Sequence, residues 1–386
     1  VSPTQGGPLA GIRVVDLTIN VLGPLATQVL GDMGADVVKV EPPAGDPMRQ
    51  VGPARHAGMS AMFLNLNRNK RSVVLDLKNQ QDAATLHRLL ASADVFVHSM
   101  RPKAIERLGF GYEVAARQPR LIYAVAPGYN SAGPRRDRPA YDDVIQGESG
   151  IADMMAAANG APGFFPTVMA DKYCGMSLAS AIGMALFARE RSGAGQRVEV
   201  PMLESMLAFN LVEHLWGGVF GDEGRLGYPR PLSPHRRPYA TQDGHLCVMV
   251  QTDEQWRAFF KLCGSSELGA DPRFSTLGAR TANIAELYAL VAERMQSRTT
   301  AQWQQDLDAH DIPNAPVARL QEMPLDPYLA ETGFLAPYDH PSEGRLLNVA
   351  IPHKFSSTPP SFRLPPPRLG EHSQEILQSL AKGPSL

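Results

Sequence analysis

Short β-branched runs alternate with helical patterns through the first third of the chain, and this alternation restricts the fold more than any other feature. Arg13 to Leu17 reads as a strand, Pro24 to Met33 as a helix, and Asp36 to Val40 as a second strand ending at Glu41. A second round follows, with Ser72 to Leu77 as strand, Gln81 to Ala91 as helix and Asp94 to His98 as strand. Ala104 to Leu108 and Tyr112 to Gln118 read as helical pieces, and Arg120 to Ala126 as another strand. Parallel strands need a crossover between them, which a helix supplies. The pattern therefore predicts an α/β domain with a parallel sheet of Rossmann type, with ligands at the carboxyl ends of the strands.

The obvious ligand for such a sheet is a dinucleotide, and Glu41 is placed to hold a ribose. The turn after the first strand, TINVLGPLA, has one glycine and no G-x-G-x-x-G, so it lacks the close backbone approach that a pyrophosphate needs. A nicotinamide or flavin cofactor is not expected, and no G-x-x-x-x-G-K-[ST] signals a nucleoside triphosphate. The 37 basic and 39 acidic residues nearly cancel, so no global field points to nucleic acid or a membrane. Cys174, Cys247 and Cys263 lie far apart, which argues against a disulfide framework or a cysteine zinc site and suits a reducing compartment. No histidine pair has metal spacing, so no metal is expected. The start, VSPTQGGPLAG, has no basic segment leading into an apolar run, and no apolar stretch reaches about 18 residues. The expectation is a soluble, cytoplasmic protein.

A length of 386 residues suggests one large domain with a smaller one, or two comparable domains. After an apolar helix candidate at Met206 to Phe220, the segment GDEGRLGYPRPLSPHRRP reads as a linker or loop. A second domain then opens with a strand at His245 to Val250 and a helix at Asp253 to Leu262. An amphipathic helix follows with Ile284, Leu287, Tyr288, Val291 and Met295 on one face, then a helix at Ala301 to Ala309 and the turn DIPNAPV. Composition alone leaves the proline-rich end, PPSFRLPPPRLGEHSQEIL, as a loose tail.

The segment from Pro166 to Glu204 carries the most chemistry. Asp171 stands where an apolar run meets a long helix, and Gly175, Ala179 and Gly183 recur every four residues on one face of it, so another backbone can approach closely. On spacing alone Asp171 reads as an N-cap. Four cations, Arg68, Lys70, Arg71 and Lys78, crowd LNRNKRSVVLDLK, and charge alone reads them as a solvated basic loop before a strand.

The sequence R-x-R-S-G-x-G-Q-x-V-E-V-P-M-x-E after that helix closely resembles the signature of the class III CoA-transferases, the family of formyl-CoA and carnitine CoA-transferases. GPLAGIRVVDLT, GPLATQVLGDMGADVVKVEPPAGD, LNRNKRSVVLDLK, RPKAIERLGFGY, RPAYDDVIQGESG and DIPNAPV resemble the same family, so the likeness covers nearly the whole chain. It implies a Rossmann-like large domain beginning in residues 1–200, a linker at 201–238 and a small α+β domain at 239–322. Residues 323–386 would be a second linker and a return to the large domain. It further implies an interlocked homodimer. By this resemblance Asp171 is the catalytic nucleophile, and CoA passes between an acyl-CoA and a small carboxylic acid through a covalent aspartyl intermediate.

Other roles come from the same resemblance. Tyr141 and Asp142 match substrate-pocket positions beside the catalytic aspartate. Val21, Leu22, Leu75, Lys78, Arg107 and Leu108 match positions that bind CoA. Pro42 and Ser99-Met100 depart from the family pattern, which has a basic residue and an Asn-Phe pair there. The glycine-run loop of the formyl-CoA branch is absent, and GYPRPLSPHRRPYATQDG stands in roughly that region. Its Arg230, His235, Arg236 and Arg237 read either as contacts for an acidic substrate group or as a solvated charge run. The related α-methylacyl-CoA racemases carry His-Asp where this chain has Tyr141-Asp142, and a racemase needs that second acid-base group. A racemase is the alternative enzyme, and a non-catalytic CoA-binding protein the alternative of another class.

Overall fold

All five strand candidates of the first 126 residues are strands in the computed structural model, which describes residues 6–115, 117–221 and 224–381. Residues 1–5, Ala116 within the Tyr112 to Gln118 helical reading, Asp222 and Glu223 within the linker reading, and residues 382–386 lie outside the described ones. The strands are β1 (Arg13–Asp16), β2 (Asp36–Glu41), β3 (Lys70–Val74), β4 (Val95–His98) and β5 (Ile122–Val125), joined by β6 (Arg197–Glu199). They form one sheet in the order β3-β2-β1-β4-β5-β6, and every pairing is parallel. β4 and β5 are buried at every position, as strands covered on both faces must be, and Val15, Val38, Phe96 and Tyr123 belong to one core cluster.

Helices α1 (Leu22–Asp32), α2 (Gln80–Ala91), α3 (Pro102–Arg107), α4 (Asp142–Glu148) and α5 (Met169–Ser192) accompany this sheet, and α6 (Met202–His214) follows β6. The chain divides into two compact units. The first is Val1–Ser149, Pro166–Leu207 and Pro327–Leu386, and the second is Gly150–Phe165 and Ala208–Asp326. In the second unit a three-stranded antiparallel sheet, β7 (Tyr239–Ala240), β8 (His245–Val248) and β9 (Asn314–Pro316), joins helices α7 (Asp253–Leu262), α8 (Ile284–Met295) and α9 (Thr300–Asp308). Ile284, Leu287, Tyr288, Val291 and Met295, which periodicity places on one face of α8, are its buried residues. They share a core with Trp256, Phe259, Phe274 and Trp303.

β3 starts and ends earlier than the apolar run suggests, because three of the four clustered cations are absorbed by the fold. Lys70 is fully buried against Asp16 at 3.3 Å and Asn67 at 2.9 Å, Arg71 pairs with Asp36 at 2.7 Å, and Arg68 with Asp32 at 2.7 Å. These side chains join neighbouring elements and do not form a solvated loop. After Val74 the chain leaves the sheet: the Lys78 amide donates to Asp76 Oδ1, and Asn79 caps α2 by accepting from the Gln81 amide at 2.8 Å.

The small-residue stripe of α5 divides in two. A Cβ on Gly175 would sit 2.7 Å from the Leu22 carbonyl oxygen, so α1 crosses α5 at this point, whereas a Cβ on Gly183 would meet nothing within 4 Å. The proline-rich end is an ordered return to the first unit. Arg363 and Leu364 amides donate to Asn69 Oδ1, the Asn69 amide donates to the Leu364 carbonyl, and Arg49 donates to the Pro367 carbonyl.

Candidate active site

A cavity of ≈ 510 Å³ opens where the strands of the parallel sheet end. Its lining follows the ends of β3, β2, β1, β4 and β5 in turn: Leu75 to Lys78, then Pro42, then Leu17 to Leu22 in part, then Ser99 to Arg101, then Ala126 and Gly128. Four strand spacings separate β3 from β5, so the lining traverses about 19 Å. The order reverses between β1 and β4, and a crevice at that switch is where such sheets bind ligands.

Beneath the cavity lies a closed set of buried charges. Asp16 accepts from the hydroxyls of Thr18 and Thr27, each at 2.5 Å, and pairs with Lys70. Lys39 pairs with Asp46 at 2.9 Å and donates to the Thr18 carbonyl at 2.9 Å. Arg49 grips Glu41 with two bonds of 2.8 and 2.7 Å, and Ser72 donates to the same carboxylate at 2.6 Å. Glu41 is therefore committed inside the protein and has no oxygen to spare for a ribose. Asp46 Oδ1 also accepts from the Asn20 amide at 3.1 Å, and Asn20 has φ +66°, a left-handed conformation that asparagine tolerates better than most non-glycine residues. The charge set thus shapes the loop after β1, whose Ile19, Asn20 and Leu22 face the cavity.

The loop after β4 is fixed in a similar way. The Met100 amide donates to His98 Nδ1 at 3.2 Å, so Nε2 carries the hydrogen and donates to the Tyr123 hydroxyl at 2.7 Å, which donates to the Phe110 carbonyl at 3.0 Å. Burial pushes His98 down to about 3, so it stays neutral and acts as a strut for Ser99, Met100 and Arg101.

Asp171 lines the cavity from the first turn of α5. It is not the N-cap that spacing suggests: the helix begins at Met169 after Val168, and the carboxylate that caps it comes from α4. Asp142, itself buried, accepts from the Asp171 amide through Oδ1 at 3.0 Å and from Gln146 Nε2 through Oδ2 at 2.6 Å. Gln146 Nε2 also reaches the Thr167 carbonyl at 3.2 Å, which ties α4 to the start of α5. Because Asp142 satisfies the amide, the Asp171 carboxyl is released from capping. Burial, reinforced by the negative charge of Asp142, raises it from an ordinary 3.8 to about 7.

Of the site residues singled out in the sequence, Leu22, Leu75, Lys78, Leu108, Tyr141 and Asp171 line this one cavity. Asp142 stands behind Asp171, and Val21 is buried at the start of α1. Arg107 ends α3 as an exposed residue, one position before Leu108, and is not part of the lining. Pro42, Ser99 and Met100, where the chain departs from the family pattern, line the cavity nonetheless. Arg230, His235, Arg236 and Arg237 belong to the second unit. Two further lining cations, Arg101 and Arg138, open the segments RPKAIERLGFGY and RPAYDDVIQGESG, yet nothing in their spacing there separates them from ordinary surface arginines before a proline. Among the described residues no cluster of three His, Cys, Asp or Glu is placed to hold a metal, and no helix is long and apolar enough to cross a membrane.

The sequence profile described as CoA-transferase family III matches residues 9–373. The chain is 33% identical over 395 residues to a succinate–glutarate CoA-transferase of Agrobacterium fabrum, covering 98% of this chain and 97% of that protein. It is 33% identical over 401 residues to a formyl-CoA:oxalate CoA-transferase of Afipia carboxidovorans, covering 97% and 94%. The crystal structure of Rv3272 from Mycobacterium tuberculosis superposes with a TM-score of 0.83 at 30% identity, covering 97% of this chain and 100% of that one.

Proposed function

The chain belongs to CoA-transferase family III and is a CoA-transferase acting on carboxylic acids, and from that premise we propose that Asp171 carries the CoA as a covalent aspartyl thioester. The observation that carries this reading is the Asp171 carboxyl at the cavity wall, relieved of capping by Asp142 and raised to about 7. A carboxylate of ordinary acidity is a feeble nucleophile, and raising its basicity makes attack on a thioester easier while leaving much of it ionised at neutral pH.

The steps balance without ATP, since one thioester replaces another. An Asp171 oxygen attacks the acyl carbon of the donor, and collapse of the tetrahedral adduct expels CoA as thiolate, which leaves a mixed anhydride. The thiolate then attacks Cγ of Asp171, the donor acid departs as carboxylate, and an aspartyl-CoA thioester remains. The acceptor carboxylate repeats the two steps in reverse order and leaves with CoA. Asp142 holds the helix start against which this exchange occurs, and Tyr141 lines the cavity beside it.

In this reading CoA spans the strand ends, with its phosphates met by Lys78, Arg101 and Arg138 and its apolar parts by Leu22, Leu75 and Leu108. Val21 supports Leu22 from beneath, and Arg107 adds charge next to Leu108. The working assembly is an interlocked homodimer. Incubation with acyl-CoA and hydroxylamine should inactivate the enzyme and leave a hydroxamate on the peptide containing Asp171, and Asp171→Ala should transfer no CoA. Full transfer by Asp171→Ala would sink the mechanism. Deuterium wash-in at the α-carbon of a 2-methylacyl-CoA, with no transfer to any acid, would point to the racemase instead.

A further inference from the structure

The second unit holds a cavity of its own, ≈ 510 Å³, between the loop that leads into β7, strand β8 and the Pro313–Ala315 segment. That volume is within the usual range for small-molecule sites. Its charge is one-sided. Arg236 and Arg237 both line it, no Asp or Glu does, and among the described residues neither arginine has a carboxylate within ion-pair distance. Arg237 Nε donates to the Pro234 carbonyl at 2.8 Å, which fixes the guanidinium and leaves its outer amino groups for a ligand. Nearby Arg230 differs, because its Nε donates to the Tyr288 hydroxyl at 2.8 Å and holds that ring in the cavity wall. The remaining wall is mostly apolar, with Pro238, Val248 and Pro313 beside the rings of Tyr239 and Tyr288, and Asn314 and Cys247 are its polar members.

We propose that this cavity is a binding site for a short aliphatic dicarboxylate. Each guanidinium fork matches a planar carboxylate with two parallel hydrogen bonds, and two forks on one apolar cavity match two carboxylates joined by methylene groups. Phosphate offers the same oxygens, but a phosphate ion has nothing to set against the proline, valine and tyrosine surfaces. The choice of a free dicarboxylic acid rests on the transferase reading, in which carboxylic acids are the reactants. The cationic cavity itself does not depend on it.

Cys247 supplies the test. It lines the cavity and is exposed, whereas burial raises Cys174 to about 12 and Cys263 to about 11, so a neutral alkylating agent near pH 7.5 reports on Cys247. Iodoacetamide labelling of Cys247 in the full chain should be slowed saturably by glutarate. Butyrate or inorganic phosphate should need at least about tenfold more to match it. In R236A/R237A, whose exposed side chains can be removed with little effect on the thermal melt, the half-protecting concentration of glutarate should rise about tenfold or more while labelling without ligand stays unchanged. Asp171→Ala should keep the protection while losing transfer, so the two readings fail separately. No slowing by glutarate, equal protection by butyrate or phosphate, or unchanged protection in R236A/R237A would overturn the proposal.

Discussion

Asp171 and Asp142 show how one carboxylate can prepare another. Asp142 spends its oxygens on the Asp171 amide and on Gln146, so its charge is held in place, and that charge adds to burial in lifting the Asp171 carboxyl to about 7. The kcat/KM for acyl-CoA should therefore rise with pH through about 7 and level off above it, as the nucleophile ionises. Asp142→Asn should move that inflection to lower pH, and an inflection left where it was would contradict the coupling. Stability carries the same sign in reverse. Below pH 3.8 Asp171 is neutral in both folded and unfolded chains. From there up to about 7 only the unfolded chain releases the proton, so the folded state loses stability as pH rises. Asp171→Asn should melt like the parent below pH 4 and later than it above pH 7, by up to about 4 kcal/mol. Calorimetry across that range reads the difference. CoA affinity, measured by titration calorimetry, should fall about tenfold or more in Lys78→Ala, Arg101→Ala and Arg138→Ala, each of which removes a charge-assisted contact of the proposed site, and by less in Arg107→Ala, which lies outside the cavity lining.

Among the elements, α5 does the most, since it presents Asp171, seats α1 and covers the sheet. Its two glycines in register are opposite cases. Gly175→Ala drives a Cβ to 2.7 Å from the Leu22 carbonyl, and because that atom is backbone α1 must shift, with the loop before it that lines the cavity. The expected cost is about 1–3 kcal/mol, with weaker CoA binding alongside. Gly183→Ala meets open space and gains helix propensity, so it should be neutral or stabilising by about 0.5–1 kcal/mol. Thermal melts of the two variants test the assignment, and equal effects would refute it. The loops after β1 and β4 rely on buried struts, the charge set around Asp16 and the His98–Tyr123 pair. Neither strut has a spacing that marks it in the sequence, because its members come from separate strands.

For the whole molecule, the outer face of α5 carries Met176, Met184 and Phe187, which are 41%, 69% and 67% exposed in the single chain. They recur at helical spacing, and exposed apolar side chains grouped on one helix face offer a surface that another chain can cover. In the proposed homodimer a second copy covers it. Sedimentation equilibrium should return twice the 41.9 kDa chain mass for the parent, and Phe187→Glu should shift the mass towards the monomer. A parent that sediments as a monomer would remove the dimer from the proposal.

By itself the sequence determined the parallel sheet, from short β-branched runs alternating with helical patterns, and the buried face of α8, from period 3.6, while a contiguous motif singled out Asp171 as the candidate nucleophile. Residues far apart in the chain carry the rest, and only their meeting decided it. Lys70 and Arg71 look like a solvated loop until Asp16 and Asp36 arrive from other strands to neutralise them. Asp171 looks like a cap until Asp142, 29 residues earlier, takes that task. Arg101 and Arg138 share one cavity wall only because two strand-end loops meet over it. Hydrogen bonding and charge pairing are satisfied in three dimensions, so a polar residue's role depends on which partner the fold brings to it, whereas an apolar residue's role is largely written in its spacing.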